Sequence, residues 1–90
     1  MTQIQNVLFR GETFQEGDLY VGLCPELSVS SFGGTVEEAK RSLHEAVEAF
    51  VEECDAMGTL AEVMEEAGFS KEHDIWVTRK PVVEETLSVG

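Results

Sequence analysis

Basic residues are scarce in this chain. Six Lys and Arg face eighteen Asp and Glu, a formal net charge of −12 over 90 residues. A chain this acidic is repelled by nucleic-acid phosphates and by anionic lipid surfaces, and is attracted to basic proteins. Solubility alone is the other reading of the charge. Arg79-Lys80, close after Trp76, could touch a phosphate or a base, but reads better as a device that keeps a strand edge soluble. Cysteine is equally sparse. Cys24 and Cys54 are too few for a disulfide framework, sit at apolar-periodic positions expected in a core, and have no metal-site spacing. No apolar run approaches the roughly 20 residues that cross a bilayer. The start, MTQIQNVLFR, has neither a charged n-region nor an apolar core, so no secretory leader is read there. The expectation is one cytoplasmic domain without contact to membrane.

What is present is regular patterning. Ile4 to Thr13 reads as a first strand, and Gln15 to Asp18 as a turn in which Gly17 takes positive φ. Leu19, Val21 and Leu23 alternate with Tyr20, Gly22 and Cys24, the period of a half-buried strand. Pro25-Glu26 interrupts the ladder, since proline has no donor. Leu27 and Val29 then alternate with Ser28 and Ser30 in a third strand.

Gly33-Gly34 ends the sheet, and Thr35 with Glu38 makes a capping box. The helix that follows places Val36, Ala39, Leu43, Val47, Phe50 and Cys54 on one stripe, with Arg41, Glu45, Glu48 and Glu52 opposite. Gly58 closes it, and Thr59 with Glu62 opens a second, shorter helix closed by Gly68, with Phe69 packing back. Ser70 to Asp74 reads as a polar connector, and Ile75 to Thr78 as a strand. After Pro81 the tail can form an edge strand, serve as an exchange arm in an oligomer, or fray.

The spacing thus predicts an α+β fold, β-β-β-α-α-β: a three-stranded antiparallel meander plus a fourth strand, covered by one long and one short helix. The domain spans residues 1–78, with a tail at 79–90.

No catalytic constellation is read. Neither His44 nor His73 has a nucleophile beside it in sequence, and nothing near Cys24 would lower its pKa. Gly33-Gly34-Thr35 could present free N–H groups to a phosphate, but no P-loop lysine follows, and Glu37 and Glu38 already supply negative charge there. No enzyme activity, cofactor or metal is expected. The chemistry is that of a surface.

Gly17-Asp18-Leu19-Tyr20-Val21, then Cys24-Pro25-Glu26-Leu27, then Gly33-Gly34-Thr35 with Glu37-Glu38-Ala39 and the long helix, together resemble the core of the HicB antitoxin family. The match covers about half of the chain, and the combination carries the specificity. Gly58 to Phe69 resembles the short helix after the core in solo members. The resemblance implies a degenerate RNase H-like fold. It also implies a function: occluding the RNA-binding surface of a HicA-type toxin, a small basic mRNA-cleaving protein with a double-stranded-RNA-binding-like fold.

RNase H chemistry needs carboxylates converging on two metal ions. Here the middle of the first strand is Asn6-Val7-Leu8-Phe9, and Glu48 faces away from the core stripe. Nuclease activity is therefore not expected. Many HicB proteins add a C-terminal DNA-binding domain. Only 21 residues follow Phe69, and residues 81–90 lack helical periodicity, which argues against direct operator binding. The expected partner-facing residues are Glu45, Glu48 and Glu52, or the sheet side near Tyr20 and Trp76. Exposed strand edges favour a homodimer or tetramer. The alternative function is a stand-alone oligomeric structural or regulatory module with no toxin partner.

Overall fold

In the computed structural model, which describes residues 6–78 and 82–90, one extended N-terminal segment serves two sheets. Its first part is β1 (Asn6–Leu8) and its second is β2 (Glu12–Glu16). β2 opens an antiparallel meander with β3 (Leu19–Cys24) and β4 (Val29–Gly33), in the order β2-β3-β4. Then come helices α1 (Val36–Met57) and α2 (Leu60–Glu66), and strands β5 (Phe69–Glu72) and β6 (Ile75–Thr78). β6 pairs antiparallel with β5 and parallel with β1, giving a second sheet ordered β1-β6-β5. The α+β class and the meander agree with the sequence reading. The element order is β-β-β-β-α-α-β-β, with two strands more than expected.

The additional strands have distinct causes. The expected first strand divides at Phe9-Arg10-Gly11, and its residues 4–5 lie outside the described residues. Its alternation nevertheless persists. Val7 and Phe9 pack on the core, and a Cβ at Gly11 would stand 3.0 Å from Leu43 Cδ2, while Leu8 and Arg10 are exposed. Period-2 patterning reports faces, not pairing partners, so a strand that changes partner midway reads as one. The expected connector at 70–74 is instead β5 plus a two-residue turn. His73 (φ 49) and Asp74 (φ 68) are both left-handed, as a type I′ hairpin turn requires. β5 is hidden in the sequence because only Phe69 of its four residues is buried. The third strand starts at Val29; Leu27 sits in the preceding turn, buried all the same. Residues 82–90 carry no strand and are exposed. No helix among the described residues is long and apolar enough to cross a membrane.

α1 begins as its sequence specifies. Thr35 is extended and its Oγ1 accepts from the Glu38 N–H at 3.1 Å. The Glu38 carboxylate accepts from the Gly34 N–H at 2.8 Å, one residue before the usual capping-box donor. At the far end Gly58 is left-handed (φ 76). Its N–H donates to Asp55 O and that of Thr59 to Cys54 O, a Schellman closure. That closure recruits Thr59. Its hydroxyl donates back to Cys54 O at 3.4 Å and makes no cap bond to α2, so the expected second capping box is absent. The buried stripe of α1 is Ala39, Leu43, Val47, Val51 and Cys54. Val51 takes the place expected for Phe50, which is half-buried, and Val36 is exposed.

Two glycines let this helix lie on the sheet. A Cβ at Gly22 would stand 2.9 Å from Ala39 O, and one at Gly33 only 2.6 Å from Ala39 N and from Glu38 Cβ. α1 therefore rests on β3 and β4 at near backbone contact. The core beneath it joins Cys24, Leu27 and the α1 stripe to Leu60 and Met64 of α2, Phe69 and Trp76.

Gly33→Ala is expected to lower stability by about 2 kcal/mol, because the obstruction is backbone rather than a mobile side chain. Gly34→Ala, whose Cβ would meet only Glu38 Oε2 at 3.3 Å, should cost far less. Urea denaturation compares the two. In the same assay Thr35→Ala should cost about 1 kcal/mol and Thr59→Ala less, since only Thr35 satisfies a helix N-terminal donor.

Candidate binding surfaces

The five residues expected to face a partner do not converge. Glu45, Glu48 and Glu52 are exposed in a line along the solvent side of α1, opposite the buried stripe. No exposed residue of α1 between Arg41 and Ala56 is a large apolar one. Tyr20 is half-buried on β3, paired with Gly33 and on the side that faces α1. Trp76 belongs to the other sheet and is only 4% exposed. Lys71 Nζ lies 5.8 Å from its ring centroid, and its indole Nε1 is buried without a hydrogen-bond partner. The glutamates are thus a surface, whereas Trp76 is a core residue. Arg79-Lys80 lies outside the described residues.

The groups with chemical potential are separated as well. His44 is exposed on the flank of α1, its ring centroid 6.4 Å from that of Phe9. It walls a cleft of about 160 Å³ with Phe9 and Glu48. A second cleft, of about 250 Å³, lies by Asp55, Lys71 and Trp76. Both are below the roughly 300 Å³ at which small-molecule sites begin. His73 sits in the β5–β6 turn. Among the described residues no group of three His, Cys, Asp or Glu side chains is placed to hold a metal ion.

Cys24 is fully buried, with its Sγ 4.0 Å from Glu26 Oε2. Burial pushes its thiol above the ordinary range, backbone hydrogen bonding from Leu27 and Glu26 opposes this, and the Glu26 carboxylate adds to the rise. A protonated, enclosed thiol is a packing group rather than a nucleophile.

The outer face of the meander is a surface feature that the sequence pattern masks. β3 has the period of a half-buried strand, which leaves open whether its large or its small residues face inward. In the fold it is the small ones. Gly22 and Cys24 face α1 and are buried, so Leu19, Val21 and Leu23 face away from it. The register aligns Phe14, Val21 and Phe32 as a row across β2, β3 and β4 on that outer side. Phe14 is 49% exposed, Leu19 47% and Phe32 65%. Glu12 and Glu16 stand on the same side of β2, and Asp18 lies in the turn at its end. Arg10 lies 3.7 Å from Glu12 and 3.5 Å from Glu26. The outer face is therefore apolar at its centre and acidic at its margin. The clue available in sequence was Gly22, because a glycine in mid-strand marks close approach of another backbone.

Comparison with protein-family models, with curated proteins and with solved structures finds no match to this chain.

The raised pKa of Cys24 fixes a sign for its pH dependence. The unfolded chain ionises this thiol first, near its ordinary value of 9.0, while the folded chain keeps it protonated. Its contribution to stability is complete below that pH and is lost as pH rises through the folded-state value. Unfolding free energy measured from pH 8 upward should fall more steeply for the wild type than for Cys24→Ala. The difference should not exceed about 1.4 kcal/mol per pH unit.

Proposed function

We propose that this chain is a HicB-like antitoxin that binds and neutralises a small basic HicA-type RNA-cleaving protein by covering its RNA-binding surface. The observation that carries this reading is the charge. A net −12 is displayed in part as a continuous row, Glu45, Glu48 and Glu52, on the solvent side of α1. A surface that grips RNA must be basic, and an ordered acidic surface competes with phosphates for it. The motifs at Cys24-Pro25-Glu26-Leu27 and Gly33-Gly34-Thr35 add the family resemblance, and both lie where they shape the fold: the β3–β4 turn and the seat of α1.

The parallel β1–β6 pair beside an antiparallel meander supports reading the fold as a partial RNase H-like sheet. On that reading the first strand, Asn6–Leu8, carries no carboxylate to hold a metal. A cytoplasmic location, where mRNA-directed toxins act, completes the proposal, with a homodimer or tetramer as the assembly.

Acidic charge acts mainly on encounter, so its signature is kinetic. With a purified HicA-type toxin from the same host, a stoichiometric amount of this chain should stop RNA cleavage. The triple variant Glu45→Lys/Glu48→Lys/Glu52→Lys should slow association roughly tenfold at low salt, the difference fading as the Debye length contracts. Undiminished cleavage with wild-type chain in excess would remove the antitoxin reading and leave the stand-alone module.

A further inference from the structure

Charge along α1 explains attraction but not retention. Tight complexes are held by desolvated apolar or aromatic anchors surrounded by a polar rim. The exposed mid-section of α1 has none, whereas the outer face of β2–β3–β4 has Phe14, Leu19, Val21, Leu23 and Phe32. We infer that this outer sheet face is the docking surface for a basic protein partner, with Phe14 and Phe32 as its anchors. The inference rests on the antitoxin reading above and deepens it by naming the surface.

Three features select this occupant. The first is charge. Glu12, Glu16 and Asp18 border the apolar row, and Arg10 is already held by Glu12 and Glu26. A second copy on this face would set acidic margin against acidic margin; a basic protein reverses the sign of that interaction. The second is shape. Adjacent strands lie roughly 4.8 Å apart, so the Phe14–Val21–Phe32 row is a shallow platform about 10 Å wide and not a groove. It suits a surface that lays Arg and Lys stems across it. The stems cover the rings, guanidinium groups engage the ring faces, and the charged heads reach the glutamates at the margin. The third is placement. α1 covers the opposite side of the sheet, so of its two faces the outer one is left open to a partner, with Glu12 and Glu16 beside it to steer the approach.

The apolar row and its acidic margin then have separable kinetic roles. Phe14→Ser/Phe32→Ser removes the anchors from an exposed face and should leave the thermal unfolding midpoint near that of the wild type. Against an immobilised HicA-type toxin, this variant should dissociate on the order of 30-fold faster with little change in association rate. Glu12→Lys/Glu16→Lys keeps the apolar row and should slow association while flattening its salt dependence, so the inference stays testable if the double serine variant folds poorly.

Wild-type dissociation kinetics from the double serine variant, with the toxin still bound, would overturn the docking surface and leave the antitoxin reading intact. Failure of wild-type chain itself to bind the toxin would overturn both. A wild-type homodimer in sedimentation that becomes monomeric in Phe14→Ser/Phe32→Ser would assign the face to a second copy, and so overturn the inference.

Discussion

The seating of α1 on Gly22 and Gly33 is the constraint from which the rest of the molecule follows. With no Cβ at either position, the first turns of the helix reach the backbone of β3 and β4. That contact decides which side of each strand is covered. Once Gly22 lies beneath Ala39 and Leu43, the pleat sends Leu19, Val21 and Leu23 the other way. The ladder carries the same choice to Phe14 on β2 and Phe32 on β4. A close helix and an apolar outer face are thus two results of one local feature. Replacing the glycines by larger residues would lift the helix from its seat while the strands kept their register.

Legibility in the sequence follows the range of the interaction. Thr35, Glu38 and Gly58 act within one helical turn of their partners, and their roles could be read from spacing alone. Thr59 failed for a reason of the same range: two helix ends compete for it, and the Schellman closure of α1 takes precedence over the N-cap of α2. β1 was read as part of one longer strand, because its partner is distant in sequence, and β5 was missed, because it is a polar edge with a single buried residue. The surface residues divided in the same way. Helical periodicity placed Glu45, Glu48 and Glu52 on the solvent side. Trp76 looked like an exposed aromatic beside two cations, and it is instead a core residue whose inward direction is set by pairing with Val7 and Lys71.

On the proposed reading, the charge and the apolar face divide the work of contact between them. Charge distributed over an acidic surface lengthens the range of attraction, and a compact aromatic platform limits what can stay bound. A generic polyanion has the first property without the second. What distinguishes this chain from an acidic tail is that its glutamates are held in fixed positions on a helix anchored to a sheet. Their geometry is set before any partner arrives, so little ordering entropy remains to be lost on association.

The parallel pair of β1 and β6 has a temporal consequence. Asn6 pairs with Ile75, two positions separated by 69 residues (75 − 6), whereas β2, β3, β4 and α1 follow one another along the chain. The meander and its helix have the contacts to assemble early, while the second sheet must wait for the last strand to be made. Until then β1 has no strand partner among the described residues, and the core lacks Trp76. A released chain ending before Ile75 would therefore carry most of the acidic surface on an unfinished core. Completion of the C-terminal hairpin is the step at which a nascent chain becomes a durable protein.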